Sequence, residues 1–242
     1  MKALILAAGL GTRLRPLTES MPKCLVPIAG RPLLDYHLKS LEKFGFDEAL
    51  INTHYLPELV EKYIAEYKNG GGKIKIKIAY EPELLGSAGT LRANKDFFSG
   101  EKNFAVIYAD NLTNINYRKL LNFHEKNNSD CTIACYFEPN PAQKGVVVCD
   151  ASERVTRFVE KPKELPAPSN FANGGIYIFN SAIISSLADS PGLNYDFGHH
   201  VFPQLLENKL NLHAYKMDEF LLDIGSMDSY NLAQSYIDKL IF

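Results

Sequence analysis

No stretch of this 242-residue sequence is both long enough and free enough of charge to span a bilayer. Its first residues run from charged to apolar to small, too briefly for a signal peptide. A basic surplus is missing as well. The 26 Lys and Arg stand against 28 Asp and Glu, which removes the bulk electrostatic case for a nucleic-acid partner. Cysteine is scarce: Cys24, Cys131, Cys135 and Cys149 form no C-x-x-C pair, and no further ligands cluster near them, so no zinc site is expected. Cys131 and Cys135 share one face of the alternating run "CTIACYF" and read as buried thiols in a reduced, cytoplasmic protein. There is no internal repeat and no disordered linker, and no hexapeptide repeat follows the last helical stretch, so no appended β-helix domain is expected.

What is present is apolar patterning. A chain that is 46% hydrophobic can fill one large domain or two small ones. "ALILAA", "EALINTHY", "KIKIKIAYE" and "FAVIYAD" read as strands. Between and after them "LLDYHLKSLEKFG", stopped by Gly45, "PELVEKYIAEY" with Pro57 at its first position, "TLRANKDFF" and "YRKLLNFHEKNN" read as helices. Alternation of this kind implies a parallel sheet covered by helices on both faces.

The second half changes character. "CTIACYFE", "GVVVCD", "RVTRFVE" and "GGIYIF" are strands with few helices between them, and "DASE" reads as a hairpin turn. "KPKELPAPSN" is a proline-rich loop, "IISSLAD" and "FPQLLENKL" are helical, "LNLHAYKM" and "FLLDIG" are strands, and "MDSYNLAQSYIDKLI" is a closing helix. The expected fold is α/β: a Rossmann-like three-layer α/β/α arrangement with a mostly parallel central sheet and a more antiparallel C-terminal half. The expected organisation is a single domain over 1–242, with a nucleotide-binding half at 1–128 and a sugar-binding half at 129–242.

In open parallel sheets ligands sit at the carboxyl ends of the strands. Gly9 and Gly11 follow the first strand directly, where glycine lets backbone N–H groups approach a phosphate. Neither common phosphate loop is present. Leu14 stands where the third glycine of G-x-G-x-x-G belongs, and no Gly-Lys-Ser/Thr follows. Instead the loop carries Thr12, Arg13, Arg15 and Lys23, several polar and positive groups around one turn, which suits a polyanion such as a triphosphate.

The stretch "LAAGLGTRLRPLTESMPK" closely resembles the signature of the sugar-1-phosphate nucleotidylyltransferases, G-x-G-T-R-L-x-P-x-T followed by P-K. "EPELLGSAGTL" resembles the base-binding loop of that family, "YADN" its metal motif, "FVEKP" and "NGGIYIF" its sugar-binding segments, and "LLDIG" its C-terminal metal motif. These stretches occur in the family's order and cover nearly the whole chain, with the mannose and heptose guanylyltransferase branch closest in character. Two departures stand out. Ala109 replaces the usual glycine before the aspartate, and Leu221 stands where tryptophan is frequent, in a chain that has none. Neither alters a charged group, so both bear on specificity rather than on the reaction.

The resemblance implies an enzyme that converts an NTP, with GTP favoured, and a sugar 1-phosphate into an NDP-sugar and pyrophosphate. It implies Mg²⁺ as cofactor, held by Asp110 and Asp223; by itself an aspartate at a strand end is a cap or turn residue. It implies Arg13, Lys23 and Asp110 as catalytic residues. The nucleotide would be bound by Leu6, Ala8, Gly9, Gly11, Thr12, Arg13, Lys23, Glu81, Gly86, Ser87 and Gly89, with Glu81 accepting from guanine and Gly89 allowing close approach. The sugar phosphate would be bound by Asn111, Gly145, Glu160, Lys161, Asn173 and Gly174. Neither nucleic acid nor membrane is an expected partner, and self-association is left open.

Three other readings remain: a pyrimidine-specific member of the same family, a catalytically silent NDP-sugar-binding regulator, and a metal-dependent glycosyltransferase. A silent homologue tends to lose its Lys or Asp groups, which this chain retains, and a glycosyltransferase usually carries D-x-D, where "YADNLT" offers one acid. The adjacent His199 and His200 point to different sides of an element and make a poor metal pair. His54 reads as a hydrogen-bonded rim residue, and the lysines of "KIKIKI" as a solvated strand face.

Overall fold

In a computed structural model, which describes residues 1–163, 166–187 and 194–236, the chain forms two compact units, each assembled from separated segments. One holds Met1–Leu84, Ile107–Ile115 and the segment from Glu219 onward; the other holds Leu85–Val106 and Asn116–Asp218. Along the chain the strands are β1 (Lys2–Leu6), β2 (Pro27–Ile28), β3 (Arg31–Pro32), β4 (Glu48–Thr53), β5 (Lys75–Tyr80), β6 (Asn103–Tyr108) and β7 (Asn111–Thr113). They continue with β8 (Cys131–Phe137), β9 (Gly145–Cys149), β10 (Val155–Glu160), β11 (Phe171–Asn180), β12 (Leu212–Lys216) and β13 (Leu221–Asp223). The α-helices are α1 (Leu33–Lys43), α2 (Pro57–Asn69), α3 (Ser87–Ala93), α4 (Tyr117–Lys126), α5 (Phe202–Glu207) and α6 (Met227–Ser235).

The first unit is the parallel one. β1 pairs with β4, and β4 with β5, all parallel, with Leu4 opposite Leu50 and Ile51 opposite Ile78. Ala3, Leu4, Ile5, Ala49, Leu50 and Ile51 are fully buried, as strands covered on both faces require. β5 alternates as expected, its lysines exposed. Just past β6, Ala109 N donates to Leu6 O at 3.1 Å. The glycine loop and Asp110 therefore leave neighbouring strands at the same edge. A second apolar cluster joins Leu14, Ile28, Leu33, Tyr36, Leu112, Ile224 and Ala233, and so anchors the loop, β7, the end of β13 and α6 on one another.

The second unit is more antiparallel, as the sequence implies. β9 and β10 form a hairpin, and β11 pairs antiparallel with β8. β12 is the exception, lying parallel to β8. Phe104, Tyr177, Phe179, Phe197 and Phe202 are fully buried and fill its core.

Three boundaries differ from the sequence reading. α3 begins at Ser87, three residues early, because Tyr195 O accepts from both Ala88 N and Gly89 N at 3.0 Å and so satisfies the first turn. It stops at Ala93, and Lys95–Phe98 is a separate 3-10 turn. The helix expected over "FPQLLENKL" ends at Glu207, since Lys209 takes φ +58. The stretch "IISSLAD" contributes a 3-10 turn, Ser181–Ser186, and its Ala188 and Asp189 lie outside the described residues. Residues 237–241 of the expected closing helix lie outside them too.

Candidate functional site

The loop after β1 is built around Gly11, which takes φ +63. A Cβ there would stand 2.9 Å from Thr18 Cγ2 and 3.2 Å from Lys23 Cβ, while Thr18 Oγ1 donates to Gly11 O at 2.7 Å. Both backbone conformation and space thus demand glycine. Gly9 is different: a Cβ on it meets nothing within 4 Å, so the fold does not require glycine there. Thr12, Arg13 and Arg15 are exposed, while Leu14 between them is buried and pins the loop down. Leu6 ends β1, and Ala8 is buried.

Beneath this loop runs a strut that the sequence reading missed. Ala7 N donates to Asn52 Oδ1 at 2.7 Å, and Asn52 Nδ2 donates to Glu81 Oε1 at 2.9 Å. Asn52 is the one amide in the apolar strand "EALINT", the only signal available for it. Glu81, expected at the base, is itself 3% exposed. His54 Nδ1 lies 2.7 Å from Glu81 O, as a hydrogen-bonded rim residue would.

The charged groups converge from separate segments. Lys23 Nζ lies 2.6 Å from Asp110 Oδ2. β13 pairs antiparallel with β7, setting Asp223 opposite Asn111, and Ile224 N donates to Asp110 O at 2.8 Å. This short ladder brings the backbones of the two expected metal carboxylates side by side. Gly225 permits the next approach. A Cβ on it would stand 3.1 Å from Asp223 Oδ1 and 3.3 Å from Arg13 Nη2, so Arg13 and Asp223 border the same small space. Asn111, expected to meet the sugar phosphate, is buried at the start of β7. His37 of α1 is also buried, and burial lowers its pKa to about 4 against the opposing influence of the Ala109 backbone, the Asp110 charge and the Asn111 backbone. Among the described residues no group of three or more His, Cys, Asp or Glu gathers as a metal site.

In the other unit, Gly86 takes φ +84, and a Cβ on it would collide with Tyr195 O. Both residues expected beside it at the nucleotide are engaged within the protein. Ser87 was expected at the base, yet its Oγ donates to Asp196 Oδ2 at 2.7 Å and accepts from Phe197 N at 3.1 Å. Gly89 was expected to let a ligand close; it is buried, its N–H bound to Tyr195 O, with Leu85 Cβ 3.0 Å from where its own Cβ would lie. The close approach at Gly89 is made by the protein itself.

Glu160 ends β10 opposite Gly145. Its Oε2 lies 2.7 Å from the Cβ position of Gly145 and 2.6 Å from that of Gly198, a glycine that the sequence reading did not single out. Burial first, and then the Asp196 charge, push the Glu160 carboxyl upward, against His199 and Lys161. Lys161 takes φ +46, so the backbone does turn at this strand end. Asn173, expected at the sugar phosphate, is also engaged within the protein. Its Nδ2 donates to Tyr177 Oη at 2.8 Å and its Oδ1 accepts from Gly175 N at 3.0 Å, so both ends of the amide tie down an irregularity in β11. Gly174 beside it is buried.

A family model described as Nucleotidyl transferase matches residues 2–239. A UTP–glucose-1-phosphate uridylyltransferase from Synechocystis is 34% identical over 244 residues, covering 95% of this chain and 61% of that protein. A mannose-1-phosphate guanyltransferase from Gibberella zeae is 35% identical over 228 residues, covering 93% of this chain and 61% of that protein. The chain therefore spans about 61% of the length of these relatives. Among solved structures, HddC from Yersinia pseudotuberculosis complexed with GMP-PN is similar, with a TM-score of 0.76 at 26% identity, covering 98% of this chain and 99% of that one.

Proposed function

The chain belongs to the nucleotidyl transferase family, and from that premise we propose that it joins a nucleoside triphosphate to a sugar 1-phosphate, releasing pyrophosphate and an NDP-sugar. The observation that carries this reading is the convergence of Lys23, Asp110, Asp223 and Arg13 around Gly225 and the glycine loop.

The reaction needs no protein nucleophile, because an oxygen of the sugar phosphate attacks the α-phosphorus in line. The protein must bring two anions together and stabilise the developing charge. Arg13 would hold the β and γ phosphates and steady the leaving pyrophosphate. Lys23 would exchange Asp110 for the α-phosphate and the incoming sugar phosphate. Backbone N–H groups of the 9–12 loop, with Thr12, would cradle the triphosphate.

Asp110 and Asp223 suit Mg²⁺. Two carboxylates on adjoining backbone segments offer a hard-oxygen donor set, and an ion that completes its shell with water and substrate phosphates needs no third acidic ligand from the protein. When bound, Mg²⁺ would neutralise phosphate charge.

At the sugar end, Glu160 would accept hydrogen bonds from sugar hydroxyls, beside Gly145, and Lys161 would pair with the sugar's phosphate. The division into a nucleotide-binding half at 1–128 and a sugar-binding half at 129–242 belongs to this proposal. Glu81 and the backbone around Gly86 would read the base, with guanine preferred. The guanyltransferase relative and the GMP-PN in HddC support guanine, and the uridylyltransferase relative supports a pyrimidine. Free Cys24, Cys131 and Cys135, all buried, fit a reduced, cytoplasmic setting.

Pyrophosphate release, measured for a matrix of GTP, UTP, dTTP and CTP against sugar 1-phosphates, tests the proposal. GTP should be turned over. Efficient use of UTP or dTTP with GTP inert would overturn the base assignment. NDP-sugar binding without pyrophosphate release from any pair would favour the silent regulator.

A further inference from the structure

Asp196 plays no part in the reaction described above, yet its side chain is fully engaged. Oδ2 accepts from Ser87 Oγ at 2.7 Å. Oδ1 accepts from Gly198 N at 2.8 Å and from His199 N at 3.2 Å, capping the π-helical turn Phe197–Val201. Its own N–H donates to His200 Nδ1 at 3.0 Å. Ser87 is held from the other side by Phe197 N, and the preceding Gly86 packs on the backbone of Tyr195. At the far end of the turn Gly198 is buried against Glu160, close enough that a Cβ on it would lie 2.6 Å from Oε2. An uninterrupted set of contacts thus leads from the Gly86 loop through Ser87 and Asp196 to Gly198 and the Glu160 carboxylate. A π turn, wider than an α turn, is a local arrangement that recurs at functional sites.

We propose that Asp196 is a positioning residue for Glu160, and that through Ser87 it couples the seating of the Glu160 carboxylate to the state of the Gly86 loop, so that nucleotide and sugar phosphate each strengthen binding of the other. The inference rests on the reading that the Gly86 loop meets the base and Glu160 meets the sugar. Such coupling is reciprocal by thermodynamic necessity and typically amounts to about 5–150-fold. The proximity of Asp196 to Glu160 adds a physical reason for a clamp. Two carboxylates repel, and a capped, immobile Asp196 keeps its charge at a fixed place relative to Glu160.

The test is calorimetric binding of mannose 1-phosphate with and without guanosine α,β-methylene triphosphate, whose P–C–P link cannot react. Wild type should bind the sugar phosphate on the order of tenfold more tightly with the analogue present. Ser87→Ala, which cuts the link but leaves the Asp196 cap on Gly198, should reduce that enhancement to about onefold. Ser87→Thr, which keeps the hydroxyl, should retain it. Asp196→Asn provides a second cut if Ser87→Ala melts early, and should likewise lose the enhancement. Full enhancement in Ser87→Ala and Asp196→Asn, or none in wild type, overturns the proposal. Glu160→Ala separates the two layers: unchanged sugar-phosphate binding there overturns the reading of Glu160 itself, whatever Ser87 does.

Discussion

Lys23 Nζ and Asp110 Oδ2 are 2.6 Å apart, the lysine side chain 12% and the aspartate side chain 31% exposed. A half-buried pair of this kind holds both side chains in place. It also sets the proposed catalytic cation beside the proposed metal carboxylate.

Lys23→Ala should lower kcat strongly, with nucleotide Kd changed much less. Loss of one preorganised charge-stabilising group costs about 3 kcal/mol, roughly a hundredfold or more in rate. Steady-state kinetics beside a nucleotide titration measures the split, and near-normal turnover removes Lys23 from the mechanism.

The three glycines in and around the loop after β1 should behave differently when given a methyl group. Gly9→Ala, facing open space, should leave the denaturation midpoint nearly unchanged. Gly11→Ala, at φ +63 and crowded by Thr18, should destabilise by roughly 1–3 kcal/mol. Gly225→Ala should fold but lose activity and require more Mg²⁺, because its methyl presses on Asp223 and Arg13. Chemical denaturation with a Mg²⁺ titration distinguishes the three, and a Gly225→Ala enzyme with wild-type Mg²⁺ dependence refutes the shared space.

Substitutions at the two carboxylates proposed for sugar and metal should give divided outcomes. Glu160→Ala should raise KM for the sugar phosphate and spare nucleotide affinity. Asp223→Asn should abolish turnover and shift the Mg²⁺ requirement. If Glu160→Ala weakens the nucleotide instead, the two substrates have been assigned to the wrong residues.

Stability should fall in mild acid. His124 is buried with its Nδ1 2.9 Å from Thr132 Oγ1, and burial lowers its pKa from 6.5 to about 4. The unfolded chain therefore takes up a proton between those values that the folded chain refuses. The stabilisation is fully present above pH 6.5 and is lost as pH falls toward 4, at up to about 1.4 kcal/mol per pH unit for such a group. Denaturant melts from pH 7 to 4 should show a shallower slope for His124→Gln than for wild type; identical slopes remove His124 as a contributor.

The legible parts of this protein are those written within one stretch of chain. Strands β1, β4, β5 and β6 follow from short apolar or alternating runs, and the glycine loop with Arg13 and Lys23 is a contiguous motif. The internal partners of Ser87, Gly89 and Asn173 were not legible, because residue type reveals donors and acceptors but not which protein group reaches them. Those groups are Asp196, Tyr195 O and Tyr177.

By itself, then, the sequence determined the element types, the parallel character of the first part of the chain and the inventory of charged groups, because these depend on local periodicity and composition. Tertiary structure alone decided that Asp223 stands beside Asp110, that Asn52 bridges the first loop to Glu81, and that Gly198 lies against Glu160. Each depends on strand register and on backbone approach between segments far apart in the chain. A one-residue slip in the β7–β13 ladder would leave the composition unchanged and carry Asp223 away from its place opposite Asn111.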